Sequence, residues 1–365
     1  MKLKWISLIL IPIFIVSALL LTNNQPHPYH DKVAQMIMVG FNGQTLKPQN
    51  PIYKDIATRH IGGVILFAKD ASGQQYQKNI KTKEQVKKLI TDLQALSPTP
   101  LFVAIDQEGG LVSRLPASFG VSALSAWTLG QKNDLMLTRA EADKTASVLK
   151  DLGFNVNFAP CVDVALNPDS PIIMGKERSF SADPERVATH AEQVIKAFHA
   201  AGILPVLKHF PGHGSAKGDT HAGFVDITSD YRESELLPYQ RLVPKQAPLG
   251  VMVAHVFHHG IDTDWPLSLS GKNIQGNLRQ KLNFNGIVFS DDLQMRALTA
   301  HHTWEDIVVQ AVNAGNDVLV IGNNLNYEPD IARRTIDIIL RALDDGRISP
   351  ARIDEAYDRI MTAKQ

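Results

Sequence analysis

The sequence predicts an α/β fold, a single (β/α)8 barrel domain of the TIM type, on three observations. Eight short apolar runs recur along its 365 residues, helical patterns separate them, and the side chains that could do chemistry fall just after the runs. The runs lie at 36–41, 61–68, 101–106, 154–160, 204–209, 250–255, 286–290 and 317–322. Most are rich in Val, Ile and Leu without strict alternation, as expected of strands buried on both faces of a parallel sheet. Helical patterns occupy 82–96, 138–152, 184–201 and 303–314. Asp183 before Pro184 reads as an N-cap followed by proline at the first helical position. A doubly wound sheet is the second choice. The barrel is preferred because its active residues gather at the C-terminal ends of the strands.

Composition narrows the function. Hydrophobic residues make up 44% and charged residues 20%, which describes a folded chain. Lys+Arg and Asp+Glu are both 37, so nucleic acid is not the expected partner. The single cysteine, Cys161, excludes an internal disulfide and a cysteine-rich zinc site, and is expected to be a small core residue.

The N-terminus reads as an address. Lys2 and Lys4 precede an uncharged apolar stretch at 5–21, and a polar stretch follows at 22–26. A positive start before an apolar run is an export signal. Its 17 residues sit at the short end of the ~20 that span a bilayer. It is therefore a cleaved signal peptide or a retained inner-membrane anchor, with the body exported to the periplasm or cell envelope. Residues 1–25 are set apart on this reading, and 26–365 form the barrel domain.

The strand ends then supply the chemistry in order. Asp106-Gln107-Glu108 follow the third run, with Arg114 beyond the pair Gly109-Gly110. Asp163 follows the fourth run, and Arg178 lies in the segment Lys176-Glu177-Arg178-Ser179-Phe180. Aspartate can accept hydrogen bonds from adjacent hydroxyls, and Arg and Lys can donate to oxygens, although any of these could equally form surface ion pairs. Lys208-His209 close the fifth run, and His213 follows between Gly212 and Gly214. Three histidines in one segment first suggest a metal, but no ligand motif is present, so no metal and no cofactor is expected. Gly212, His213 and Gly214 are read as shaping a sharp turn. In Asp219-Thr220-His221 an extended backbone would put the acid and the imidazole on one side. Such a pair can give a proton and later remove one. His255 closes the sixth run. Ser290-Asp291-Asp292 end the seventh, where one carboxylate faces the barrel mouth as nucleophile, metal ligand or base and the other takes a structural hydrogen bond. Trp127 and Trp265 are read as packing residues rather than sugar platforms.

Taken together, IDQEGG at 105–110 with Arg114, ERSF at 177–180, KHFPGHG at 208–214, DTH at 219–221 and FSDDLQM at 289–295 resemble glycoside hydrolase family 3. The likeness is to its single-domain bacterial β-N-acetylhexosaminidase branch. The ending from Gly346-Arg347-Ile348-Ser349 through Arg359-Ile360 resembles that branch as well. The resemblance implies a retaining exo-β-N-acetylglucosaminidase acting on glycans that contain N-acetylglucosamine, either peptidoglycan fragments or chitooligosaccharides. It implies Asp291 as nucleophile and His221 as acid/base assisted by Asp219. Asp106, Arg114, Arg178, Lys208 and His209 are then implied to bind the sugar. Thr220 stands where Ser is frequent, and Ala222-Gly223-Phe224 where many relatives carry charge. The competing readings are a β-glucosidase of the same family, a phosphorylase in which phosphate replaces water, and a non-catalytic cell-wall-binding protein.

Overall fold

A computed structural model describes residues 27–71, 78–244 and 249–365. The export or anchor segment at 5–21 lies outside the described residues. Among the described residues no helix is long and apolar enough to cross a membrane.

All eight apolar runs form strands: β1 (Ile37–Gly40), β2 (Gly63–Ile65), β3 (Phe102–Ile105), β4 (Val156–Asn157), β5 (Leu204–Phe210), β6 (Gly250–Val253), β7 (Ile287–Ser290) and β8 (Leu319–Ile321). Every pairing is parallel, in the order β7-β6-β5-β4-β3-β2-β1-β8. A parallel bridge between Phe289 and Val318 brings the two ends of that order together, and the Ser290 N–H donates to the Val318 carbonyl at 3.0 Å. The sheet thus curls into a nearly closed barrel. Its strands are shorter than the apolar runs because much of each run continues as loop at the barrel mouth.

β4 has only two residues, and side chains supplement its ladder. Asn157 accepts from the Gln107 N–H at 3.0 Å and donates to the Gln107 carbonyl at 2.9 Å, which pins the β3 exit to β4. Pro160, which has no N–H to give, interrupts the strand before Cys161 bridges to Lys208.

The expected helices are present with their caps. Helix Pro184–Ala201 begins after Asp183, whose carboxylate accepts from the Glu185 N–H, and stops at Gly202 in a left-handed conformation. A cap of this kind is worth about 1 kcal/mol. Helices Lys83–Leu96 and Trp304–Ala314 are capped by Thr82 and Thr303. The helix expected from 138 begins earlier, at Leu135, because Asp134 caps it by accepting from the Met136 and Leu137 N–H groups.

Two apolar clusters organise the interior. The large one fills the barrel and the layer between strands and helices. A small one, made of Ala216, Val225, Ile227, Ala254, Val256 and Leu267, lies beneath the loop after β5. A parallel bridge from Asp226 to Phe257 fixes the far side of that loop. At the opposite pole of the barrel, the fully buried Asp317 carboxylate receives Arg279 at 2.6 Å, Arg352 at 2.8 Å and Arg359 at 3.1 Å. It also accepts from the Val288 N–H of β7 at 2.9 Å. The arginines at 352 and 359 of the C-terminal motif therefore fasten the closure between β7 and β8.

Candidate active site

The strand ends surround a cavity of about 300 Å3. Asp106, Arg114, Arg178, Lys208, His209, His221 and Asp291 all line it. Asp219 does not line it but sits behind His221, its Oδ1 2.9 Å from the imidazole Nδ1. Every sequence-selected site residue therefore belongs to one constellation.

Lys208 is 2% exposed and reaches Asp106 at 2.8 Å and Glu108 at 2.6 Å. Burial disfavours its charge, but the two carboxylates outweigh burial and raise the ammonium above its ordinary range. Asp106 also faces Arg114 at 3.4 Å. Burial opposes its ionisation too, and Lys208 and Arg114 overcome it, so Asp106 stays below the usual carboxylate range. The result on this wall is an ionised acceptor between two donors, suited to hydroxyl groups.

Arg178 does something the sequence did not reveal. It grips Glu108 with two nitrogens, and its Nη2 also lies 3.1 Å from His209 Nε2. Glu108 is brought down to about 2 by Arg178 and Lys208 against the opposing effect of burial. Although Arg178 lines the cavity, much of its donor capacity is engaged in holding Glu108 and His209. On its other side His209 places Nδ1 2.6 Å from Asp163 Oδ2. Asp163 also receives the backbone N–H groups of His209 and of His213, the latter at 2.8 Å. Burial would raise Asp163, yet His209 chiefly holds it well below the usual carboxylate range.

The segment 208–214 is thus an anchored loop, with two corrections to the sequence reading. His213 does more than shape a turn. Its ring lines the cavity and packs edge-on to His209 at 5.9 Å, and burial together with His209 pushes it down to about 4. The turn itself is held by Glu235, which accepts from the Gly214 N–H at 2.8 Å and the Ser215 N–H at 3.3 Å. A side chain at Gly214 would meet the Val164 carbonyl at 1.7 Å, so only glycine fits. The second correction concerns the acid–imidazole pair. The backbone at 219–222 is a turn, not an extended stretch, with the Ala222 N–H donating to the Asp219 carbonyl at 3.0 Å. Asp219 and His221 meet because Asp219 Oδ1 also accepts from the His221 N–H at 2.8 Å, the local closure that aspartate makes at turns.

That turn is tied to the segment that follows β7. The Ala297 N–H, shortly after β7, donates to the Thr220 carbonyl at 3.1 Å. At the end of β7 both aspartates line the cavity but differ in their partners. Asp292 accepts from the Gln294 N–H at 3.1 Å and the Gly322 N–H at 2.9 Å, and burial pushes it up to about 6. Burial would raise Asp291 as well, but the imidazoles of His255, His209 and His221 and the Asp292 N–H outweigh it. Asp291 therefore stays ionised at neutral pH.

Glu108, Asp163 and Glu235 are the residues sequence reasoning did not assign. Glu108 and Asp163 stood at strand ends among other acids, and Glu235 lies in a short 3-10 turn with no motif around it. Among the described residues one group, Cys161, Asp163 and His209, brings metal-capable atoms close together. Those atoms are engaged with one another: the Cys161 thiol donates to Asp163 at 3.1 Å, and burial raises it well above its ordinary value. It is a protonated thiol rather than a thiolate ligand. Trp127 and Trp265 are absent from the cavity lining. Trp265 packs against the core, as expected.

Residues 29–363 match the glycosyl hydrolase family 3 N-terminal domain. The chain belongs to this family. Among its relatives, beta-hexosaminidase A of Pseudoalteromonas piscicida is 29% identical, with 96% of this chain and 63% of that protein covered. Beta-hexosaminidase LpqI of Mycobacterium tuberculosis is 32% identical, with coverage of 92% and 82%. The solved family 3 β-N-acetylglucosaminidase from Paenibacillus superposes with a TM-score of 0.83 at 33% identity, covering 92% of this chain and 62% of that one. This family 3 chain thus spans under two thirds of the Pseudoalteromonas and Paenibacillus proteins, and most of LpqI.

Proposed function

We propose that this chain is a retaining exo-β-N-acetylglucosaminidase. The observation that supports it is the convergence of Asp291 and His221, from separate segments, on one cavity that Asp106, Lys208 and Arg114 also line. The names of the family 3 relatives point the same way. In the first step the ionised Asp291 attacks the anomeric carbon, and His221 Nε2 gives its proton to the leaving oxygen. Asp219, on Nδ1, holds the ring so that Nε2 faces the cavity. In the second step neutral His221 removes a proton from water, which releases the sugar with its β configuration. Asp106, Lys208 and Arg114 bind the hydroxyls of the terminal sugar, with Arg178 and His209 completing that wall.

The natural substrate on this reading is a cell-wall glycan fragment met outside the cytoplasm. The apolar stretch at 5–21 supports that location, as a signal peptide or an inner-membrane anchor. Hydrolysis of p-nitrophenyl β-N-acetylglucosaminide, followed by proton NMR and with the β-glucoside as control, tests the proposal. A β-configured N-acetylglucosamine as first product, with no sugar 1-phosphate when phosphate is added, is the expected result. An α-configured first product, a preference for the glucoside, or a sugar 1-phosphate would overturn it.

A further inference from the structure

His255 is not part of the cavity lining, and neither step of the proposed reaction uses it. It is 2% exposed and lies shortly beyond the end of β6. Its ring makes two polar contacts, and together they settle where its proton sits. Nε2 lies 3.0 Å from the Asp292 carbonyl oxygen. A carbonyl only accepts, so Nε2 carries a hydrogen. Nδ1 lies 2.6 Å from Ser268 Oγ. Burial holds the ring's basicity below the ordinary imidazole value, so at neutral pH the ring is uncharged and Nδ1 is bare. The Ser268 hydroxyl therefore donates to Nδ1.

We infer that His255 and Ser268 are positioning residues for the nucleophile: Ser268 selects the tautomer of His255, and His255 fixes the backbone that presents the Asp291 carboxylate. The inference rests on the proposed glycosidase reading and adds what aims its nucleophile.

The contacts run without a break from that hydroxyl to the nucleophile. The Asp292 N–H donates to Asp291 Oδ1 at 2.8 Å, so the orientation of the carboxylate follows the backbone at 292. Asp292 is itself pinned. Its side chain accepts from the Gln294 and Gly322 N–H groups, and its carbonyl from the Met295 N–H at 2.9 Å and from His255. Gln294 and Met295 belong to the same segment and would move with it. His255 after β6 and Gly322 after β8 instead hold it to the two strands that flank β7. Ser268 is placed as firmly. It is fully buried in the 3-10 turn Leu267–Leu269, whose first N–H donates to the Val256 carbonyl at 2.8 Å. Asn316 Nδ2 donates to the Ser268 carbonyl at 2.9 Å. The other tautomer of His255 would set a bare Nε2 against the Asp292 carbonyl oxygen, lone pair against lone pair, and the grip would be lost.

The tests separate aim from stability. In the unaltered protein, the NMR shifts of the His255 ring nitrogens should report a protonated Nε2 and a bare Nδ1 at neutral pH. The reverse assignment would overturn the proposal. Ser268→Ala removes the hydroxyl and little volume. Its kcat on p-nitrophenyl β-N-acetylglucosaminide should fall about tenfold, while the inhibition constant of N-acetylglucosamine stays within about twofold of the parent. His255→Gln keeps an amide donor that can reach the Asp292 carbonyl, and His255→Asn is a carbon shorter. The glutamine variant should therefore keep about tenfold more kcat than the asparagine variant. Equal losses in the two His255 variants would overturn the positioning role, as would an unchanged kcat in Ser268→Ala. So would a Ser268→Ala loss that weakens inhibition as much as it lowers kcat, since a general loosening of the site does both. Failure of the unaltered protein to hydrolyse the aryl glycoside would instead sink the glycosidase reading, and the positioning role with it, whichever tautomer the nitrogen shifts report.

Discussion

Arg178, itself part of the cavity lining, holds Glu108 in a two-point grip, Nε to Oε2 at 2.9 Å and Nη2 to Oε1 at 2.8 Å. Both side chains are buried. The pairing makes Arg178 as much a structural element as a ligand for substrate. Arg178→Ala should destabilise the protein by about 3–5 kcal/mol, because Glu108 would be left with Lys208 alone. Urea unfolding measures this. A residue that served substrate alone would leave the midpoint nearly unchanged, since surface-type losses stay within about 0.5 kcal/mol.

Asp291→Ala should lower kcat by more than about a thousandfold while circular dichroism stays that of the parent. Substantial turnover in a folded variant would remove Asp291 from the nucleophile's role.

His221→Ala should discriminate between leaving groups. Activated aryl glycosides need little acid assistance and should retain far more first-step rate than N,N′-diacetylchitobiose, whose departing sugar needs a proton. Burst kinetics separate the steps, and an equal first-step loss on both substrates would contradict an acid role for the imidazole.

Glu235 should make stability depend on pH. Burial raises its carboxyl from 4.5 to about 7. A raised folded value means that the fold prefers the protonated form. Its contribution is therefore complete below about 4.5 and is lost as pH climbs through 7, by on the order of 3 kcal/mol. Glu235→Gln keeps an acceptor for the Gly214 and Ser215 N–H groups but cannot ionise. Its unfolding midpoint should gain on the parent between pH 5 and pH 8, and parallel midpoints at both values would refute the linkage.

Asp317→Asn should cost about 3–5 kcal/mol, since three arginines would then face one another without their carboxylate. Thermal melts report it. Hydrogen exchange should rise first at β7 and β8, whose closure that carboxylate supports.

The barrel was legible because its strands are buried on both faces and so appear as unbroken apolar runs. The site was legible because a barrel collects its chemistry at strand ends. Asp106, Lys208 and the pair Asp291-Asp292 stood out by position, whereas the choice of Asp291 and His221 for chemistry came from the family resemblance. What sequence could not show was which acids pair with which bases. Glu108 and Asp106 are two residues apart, yet only Glu108 takes Arg178, a partner from a loop 70 residues away. The turn at Asp219 was misread because alternation along a strand and a side-chain-closed turn both bring neighbours two apart together. Glu235 was invisible since its role is to satisfy backbone N–H groups, which leave no pattern in side-chain chemistry.

The arginine cluster on Asp317 has a consequence for how the molecule is made. Arg352 and Arg359 leave the ribosome after every strand they fasten. Without them the closure between β7 and β8 would rest on the Phe289–Val318 bridge without its arginine brace, and loosened sheet margins are templates for wrong partners. A stop codon before position 352 should therefore yield insoluble polypeptide rather than a slower enzyme, even though the truncated product would keep all the residues assigned to chemistry.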